Sequence, residues 1–93
     1  MYEISFSNEF LRDVKKLKKK HYDLSKLYYV FHVLSSNDAE TLRRKYRDHQ
    51  LKGSLKDYRE LHIAADWLLI YRVEGSVLLI TLMCTGSHDE LLR

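Results

Sequence analysis

Three histidines mark the second half of this chain, His49, His62 and His88, and Asp66 follows His62 by four residues. Groups of these types suit cleavage of RNA without a metal. One must take the proton from a ribose 2′-hydroxyl, and another must protonate the leaving 5′-oxygen. Histidine serves both tasks, because an unperturbed pKa of about 6.5 keeps both of its forms available near neutrality. The charge that develops on the phosphorane also calls for a cation or an amide donor. Lys52, Lys56, Arg59 and Arg72 are the candidates nearest in sequence. A plainer reading makes the histidines hydrogen-bonded strand ends and Asp66 a turn residue. A metal site built from the same residues has less support, since neither H-E-x-x-H nor C-x-x-C occurs. His21 and His32 fall among lysines and aromatics on predicted helices and read as structural or surface residues.

The elements that must position these groups follow from patterning. Tyr2, Ile4 and Phe6 alternate with Glu3 and Ser5, which predicts a first strand. Ser7 or Asn8 can cap a helix, Glu9 sits at its positive end, and Phe10, Val14 and Leu17 form its buried stripe. A second helix is expected from Asp23, with Leu24, Leu27, Phe31 and Leu34 inward and Ser35–Asp38 as its stop. Residues 39–53 are polar and basic, and Leu42 and Tyr46 can anchor a short helical turn there. Three strands follow: 55–63, then 67–73 after a turn at Ala64–Asp66, then 77–83 with Gly75 in the connecting turn. The order predicts an α+β fold: an N-terminal strand and a helical hairpin, packed on a three-stranded antiparallel sheet. His62 and Asp66 then flank one turn, His88 follows the last strand, and His49 approaches from the preceding loop.

Length and composition bound the rest. At 93 residues the chain is expected to be one domain, and 45% hydrophobic with 31% charged residues is a folding composition. The net charge of +3 favours an anionic partner. Basic residues gather at Arg12–Lys20, Arg43–Arg47 and Lys52–Arg59, with Tyr46 and Tyr58 interspersed. Cations of this kind hold phosphates, and exposed rings stack on unpaired bases. The first group reads equally well as a solvated helix face. Cys84 is the one cysteine and cannot close an internal disulfide, so a reducing compartment is expected. No apolar run approaches the roughly 18 residues of a membrane span. Met1–Phe6 is too short for a secretory leader, which makes the cytoplasm the expected location. Trp67 has the alternation of a buried strand, and Cys84 reads as a small buried residue.

Four pieces of the second half carry a family resemblance: His49-Gln50-Leu51-Lys52-Gly53, Tyr58-Arg59-Glu60-Leu61-His62, Asp66-Trp67-Leu68-Leu69-Ile70-Tyr71 and Thr85-Gly86-Ser87-His88. In order and spacing they resemble YafQ-type toxins of the RelE/ParE superfamily. The resemblance implies a type II toxin that binds in the ribosomal A site and cleaves mRNA there without a metal or other cofactor. It also implies a DinJ-like antitoxin that blocks the toxin, and operator DNA bound only through the antitoxin complex. The family's functional residues fall on His49, His62, Asp66 and His88, with Trp67 beside them as an RNA contact. Two positions depart from the pattern. Cys84 stands where the family usually has arginine, and Leu92 where it usually has an aromatic residue. The departures give the alternative of a catalytically weakened toxin fold, acting as antitoxin partner and transcriptional co-repressor. A gyrase-directed, ParE-like toxin shares the fold but has no use for the histidines.

Overall fold

Residues 3–74 and 79–86 are described by the computed structural model. β1 (Glu3–Phe6) leads into α1 (Asn8–Lys19), whose first turn is closed by Ser7 Oγ accepting from the Phe10 amide at 3.1 Å. α2 (Leu24–Ser35) is capped by Asp23, which accepts from the Ser25 amide and hydroxyl. The expected stop follows, with Asn37 at φ 57°. There the structure goes beyond the sequence reading. Residues 39–46 form a two-turn helix, α3 (Ala39–Tyr46), where only a helical turn was expected. Asp38 caps it by accepting from the Thr41 amide at 3.1 Å and hydroxyl at 2.7 Å, and Leu42 and Tyr46, one turn apart, bury its inner side.

The sheet is also larger than the three antiparallel strands that the patterning predicts. It has five strands in the order β1-β5-β4-β3-β2. β2 (His49–Gln50) is two residues long and precedes a single 3-10 turn at Gly53–Leu55. β3 (Arg59–Ala64), β4 (Trp67–Glu74) and β5 (Leu79–Gly86) form the antiparallel centre. β1 adds to β5 in parallel, with Ser5 opposite Thr81. The turn between β3 and β4 is Ala65–Asp66, because Ala64 pairs with Trp67. The expected turn at Gly75 lies outside the described residues.

One core joins the layers. Phe10, Leu17, Leu27, Val30, Leu34, Leu42 and Tyr46 of the helices meet Leu61, Trp67, Leu69, Tyr71 and Leu82 of the strands. Alternation along β4 sends Leu68 and Ile70 to the opposite face, where they too are buried. β4 is therefore apolar on both sides from Trp67 to Tyr71, which explains that unbroken hydrophobic run. No helix of the described residues is long and apolar enough to cross a membrane.

Candidate active site

Strand register builds the site. On β3, Leu61 belongs to the helix-facing core, so Glu60 and His62 project to the other face. β2 runs antiparallel with His49 opposite Glu60, which brings a second imidazole into the same row. His49 Nε2 lies 3.4 Å from Glu60 Oε1, and His62 Nε2 lies 3.6 Å from the same oxygen. The two rings tilt toward each other with centroids 6.2 Å apart. Glu60 is only 3% exposed, and its Oε2 has no hydrogen-bond partner among the described residues. Burying a carboxylate costs several kcal/mol unless charge is returned to it, and the two imidazoles are placed to return it.

His49 is further oriented by its own backbone. Its Nδ1 sits 2.8 Å from the Arg47 carbonyl oxygen, and a carbonyl can only accept, so Nδ1 carries the hydrogen. Nε2 then faces the Glu60 carboxylate. The carbonyl is aimed by Arg47 itself, which ends α3 in the left-handed region at φ 53° and ψ 38°.

Behind this row, Asp48 anchors the loop on the helix side of the sheet. The Tyr71 hydroxyl donates to Asp48 Oδ1 at 2.7 Å, and Arg59 Nη2 pairs with Oδ2 at 3.2 Å. Burial, and then the Asp48 carboxylate, push the Tyr71 phenol well above its ordinary range. For Arg59, burial works against the charge, but the Asp48 hydrogen bond and charge outweigh it and the guanidinium is raised.

Of the residues singled out from sequence, the structure brings His49 and His62 together. Asp66 lies exposed in the β3–β4 turn. His88 lies outside the described residues. Lys52 and Lys56 are exposed on either side of the 3-10 turn. Two expectations need correction. Arg59 projects from the side of β3 opposite to Glu60 and His62, where Asp48 engages it, so it is not aimed at the histidine row. Trp67 is 4% exposed, donates its indole N–H to Thr85 Oγ1 at 2.9 Å and meets Tyr22 edge-on, so its ring is not available to an RNA base. Arg72 shares the histidine face by alternation, lies over the Tyr58 ring at 5.4 Å and pairs with Glu74. Glu60 was the residue that sequence reasoning passed over. Its signal was present, because a position two before His62 in a strand must share its face.

The same three side chains also form a donor set. His49, Glu60 and His62 each offer one ligand atom, all within 4.8 Å of one another. Two imidazoles and a carboxylate suit zinc, copper or nickel, and the orphaned Glu60 Oε2 is a further donor already present.

Comparison with known proteins places this geometry. The family described as "Bacterial toxin of type II toxin-antitoxin system, YafQ" matches residues 2–93. This chain belongs to the YafQ family. The mRNA interferase toxin YafQ of Escherichia coli K12 is 38% identical over 89 residues, covering 96% of this chain and 94% of that one. The YafQ fold solved in the E. coli DinJ–YafQ complex superposes with a TM-score of 0.84 at 36% identity, covering all of both chains. A metal-bound toxin from Helicobacter pylori is 42% identical with a TM-score of 0.84, covering 98% of this chain and 99% of its own. The α+β fold is that of the YafQ structures.

Proposed function

We propose that this protein is a cytoplasmic endoribonuclease toxin that inhibits translation by cutting mRNA in the ribosomal A site, held inactive by a DinJ-like antitoxin. The observation that carries this reading is the convergence of two imidazoles on one buried carboxylate, at a face open to solvent through His49. Names of the relatives support it: an E. coli relative is an mRNA interferase, and another is solved with DinJ. In the proposed step His62 removes the 2′-hydroxyl proton, and the 2′-oxygen attacks the adjacent phosphorus. The bond from phosphorus to the 5′-oxygen breaks as a second acid protonates that oxygen. Glu60 orients His62 and balances the charge it gains, with His49 on the same carboxylate. His88 is the proposed second acid, as the family resemblance implies. Asp66 would orient a histidine, while Lys52, Lys56 and Arg72 would supply phosphate contacts.

Primer extension on a reporter mRNA after induction tests the reading. Discrete cuts at a fixed codon position are expected, and they should vanish in His62→Ala and in His88→Ala. Intact mRNA despite good expression would leave the weakened, co-repressor reading in its place. Cys84→Arg separates the two further, because a large gain in cleavage on restoring that arginine would mark this chain as attenuated.

The donor set favours a second reading of the same residues, supported by the metal-bound H. pylori relative. His49, Glu60 and His62 would hold a copper- or zinc-class ion, which supplies positive charge there and takes the nitrogens that proton transfer needs. Titration calorimetry with Cu²⁺ should show binding that Glu60→Gln weakens, and cleavage should be slowed by the ion and restored by chelation. Cleavage that requires the ion would reverse the assignment.

A further inference from the structure

β2 is only two residues long, so beyond Glu60 the outer edge of β3 has no strand beside it among the described residues. Two depressions follow that open edge and share the walls Lys45 and Ile63. The first, about 370 Å³, starts at His62 and is walled by Arg47, Ala64 and Ala65. The second, about 430 Å³, continues between α2 and the end of α3, past Tyr46 to Ser25, Lys26 and Tyr29. Together they make one trench leading away from the catalytic histidine. Each part alone is of a size that holds a small ligand or a nucleotide unit.

The lining has the chemistry of a single-stranded nucleic acid path. Its charged walls are Lys26, Lys45 and Arg47, and no carboxylate lines either part. Among the described residues no carboxylate pairs with Lys45 or Arg47. Tyr29 is 48% exposed, and the Lys45 ammonium lies 4.7 Å from its centre. Lys45 also stands 5.4 Å from the buried Tyr46 ring, which fixes the cation between two aromatic groups. A half-exposed ring beside an unpaired cation is the pairing that base stacking and phosphate contact require. The small side chains of Ala64 and Ala65 keep the entrance beside His62 wide.

We propose that this trench is a flanking-nucleotide subsite, in which Lys45 and Arg47 hold the RNA backbone next to the scissile phosphate and Tyr29 stacks on the base beyond it. The proposal rests on the ribonuclease reading, since a strand cut beside His62 must leave the site along some surface. Single-stranded RNA is favoured over a protein segment because the trench begins at the reacting group and its charged walls are all cationic.

The test uses a fluorescent, fully 2′-O-methylated hexanucleotide, which lacks the nucleophilic hydroxyl and cannot be cut. Anisotropy should show Tyr29→Ala binding it about tenfold more weakly, with Tyr29→Phe close to wild type. Lys45→Ala should weaken binding and make the salt slope shallower by about 0.7. Tyr28→Ala, the neighbouring exposed ring outside the trench, serves as control and should bind as wild type. No binding by the wild-type protein, or unchanged affinity in both trench variants, overturns the subsite. So does a loss of antitoxin affinity in those variants with RNA affinity intact, which would give the trench to the antitoxin. Primer extension separates the two claims. Binding through Tyr29 and Lys45 without any cleavage leaves the subsite standing and removes the ribonuclease. Cleavage by both trench variants at the wild-type rate and pattern does the reverse.

Discussion

Glu60 carries more of the proposed chemistry than its place in the sequence suggests. It stands between Arg59 and Leu61 in an alternating strand, where an acid ordinarily faces water. Only pairing with β2 shows that it faces His49 and His62 and is enclosed by them. The histidines themselves were legible, because their residue type restricts what they can do near neutral pH. A carboxylate has no such signature until its burial is known. Glu60→Gln keeps the volume and removes the charge. Cleavage should fall about a hundredfold, while thermal stability stays level or rises, since a buried charge is removed. A matched fall in both would assign Glu60 to the fold alone. Tyr71 gives the second prediction at this scale. Its folded-state ionisation lies above the free value of 10.0, so as pH rises the unfolded chain loses this proton first. Stability is complete below about pH 10 and falls as the pH climbs toward the folded-state value. Tyr71→Phe should flatten that alkaline limb in denaturant titrations, and cost about 1 kcal/mol at neutral pH through the lost bond to Asp48.

Among the elements, α3 and β2 position the site and were the hardest to read. α1 and α2 announce themselves by apolar stripes and caps at Ser7 and Asp23. α3 has only Leu42 and Tyr46 as inner residues among arginines and lysines, so its periodicity hides in a basic run. β2 has two residues, too few for any alternation to register. Yet the left-handed Arg47 that ends α3 sets the carbonyl that orients His49. The Asp38 cap therefore acts at a distance of one helix. Its carboxyl is held below the usual range by the Thr41 hydroxyl and amide, so this contribution is present above the free carboxylate pKa and lost as the pH falls through the lowered value. Asp38→Ala should lower the midpoint of urea unfolding. Amide exchange should quicken along α3 and at His49, and leave α1 unchanged.

At the scale of the whole molecule, the sheet is closed by its most distant parts. The hairpin of β3 and β4 was visible because its turn and alternation are local. The parallel union of β1 with β5 was not, since Glu3 and Leu79 meet across nearly the whole chain and no local pattern encodes that choice. β1 also carries Phe6, 44% exposed, which stacks on Phe10 at 5.3 Å and tilts against Phe31 at 5.5 Å. It thus ties the first strand to α1 and α2 as well as to β5. Deleting residues 1–6 should uncover the edge of β5 and these rings. Size-exclusion chromatography should then show oligomers or aggregate. A stable monomer would mean that β5 needs no neighbour on that side.

That strand order also has a meaning in time. During synthesis β1 is the first of the described strands to be made and its sheet neighbour β5 is the last, and β4 too waits for that neighbour. Until the codons of β5 have been read, the sheet has only β2, β3 and β4, and β1 has no strand to join. A protein proposed to attack translation would then acquire its closed form only after its own ribosome has written every described strand. The topology works as a delay, placed between making the weapon and arming it.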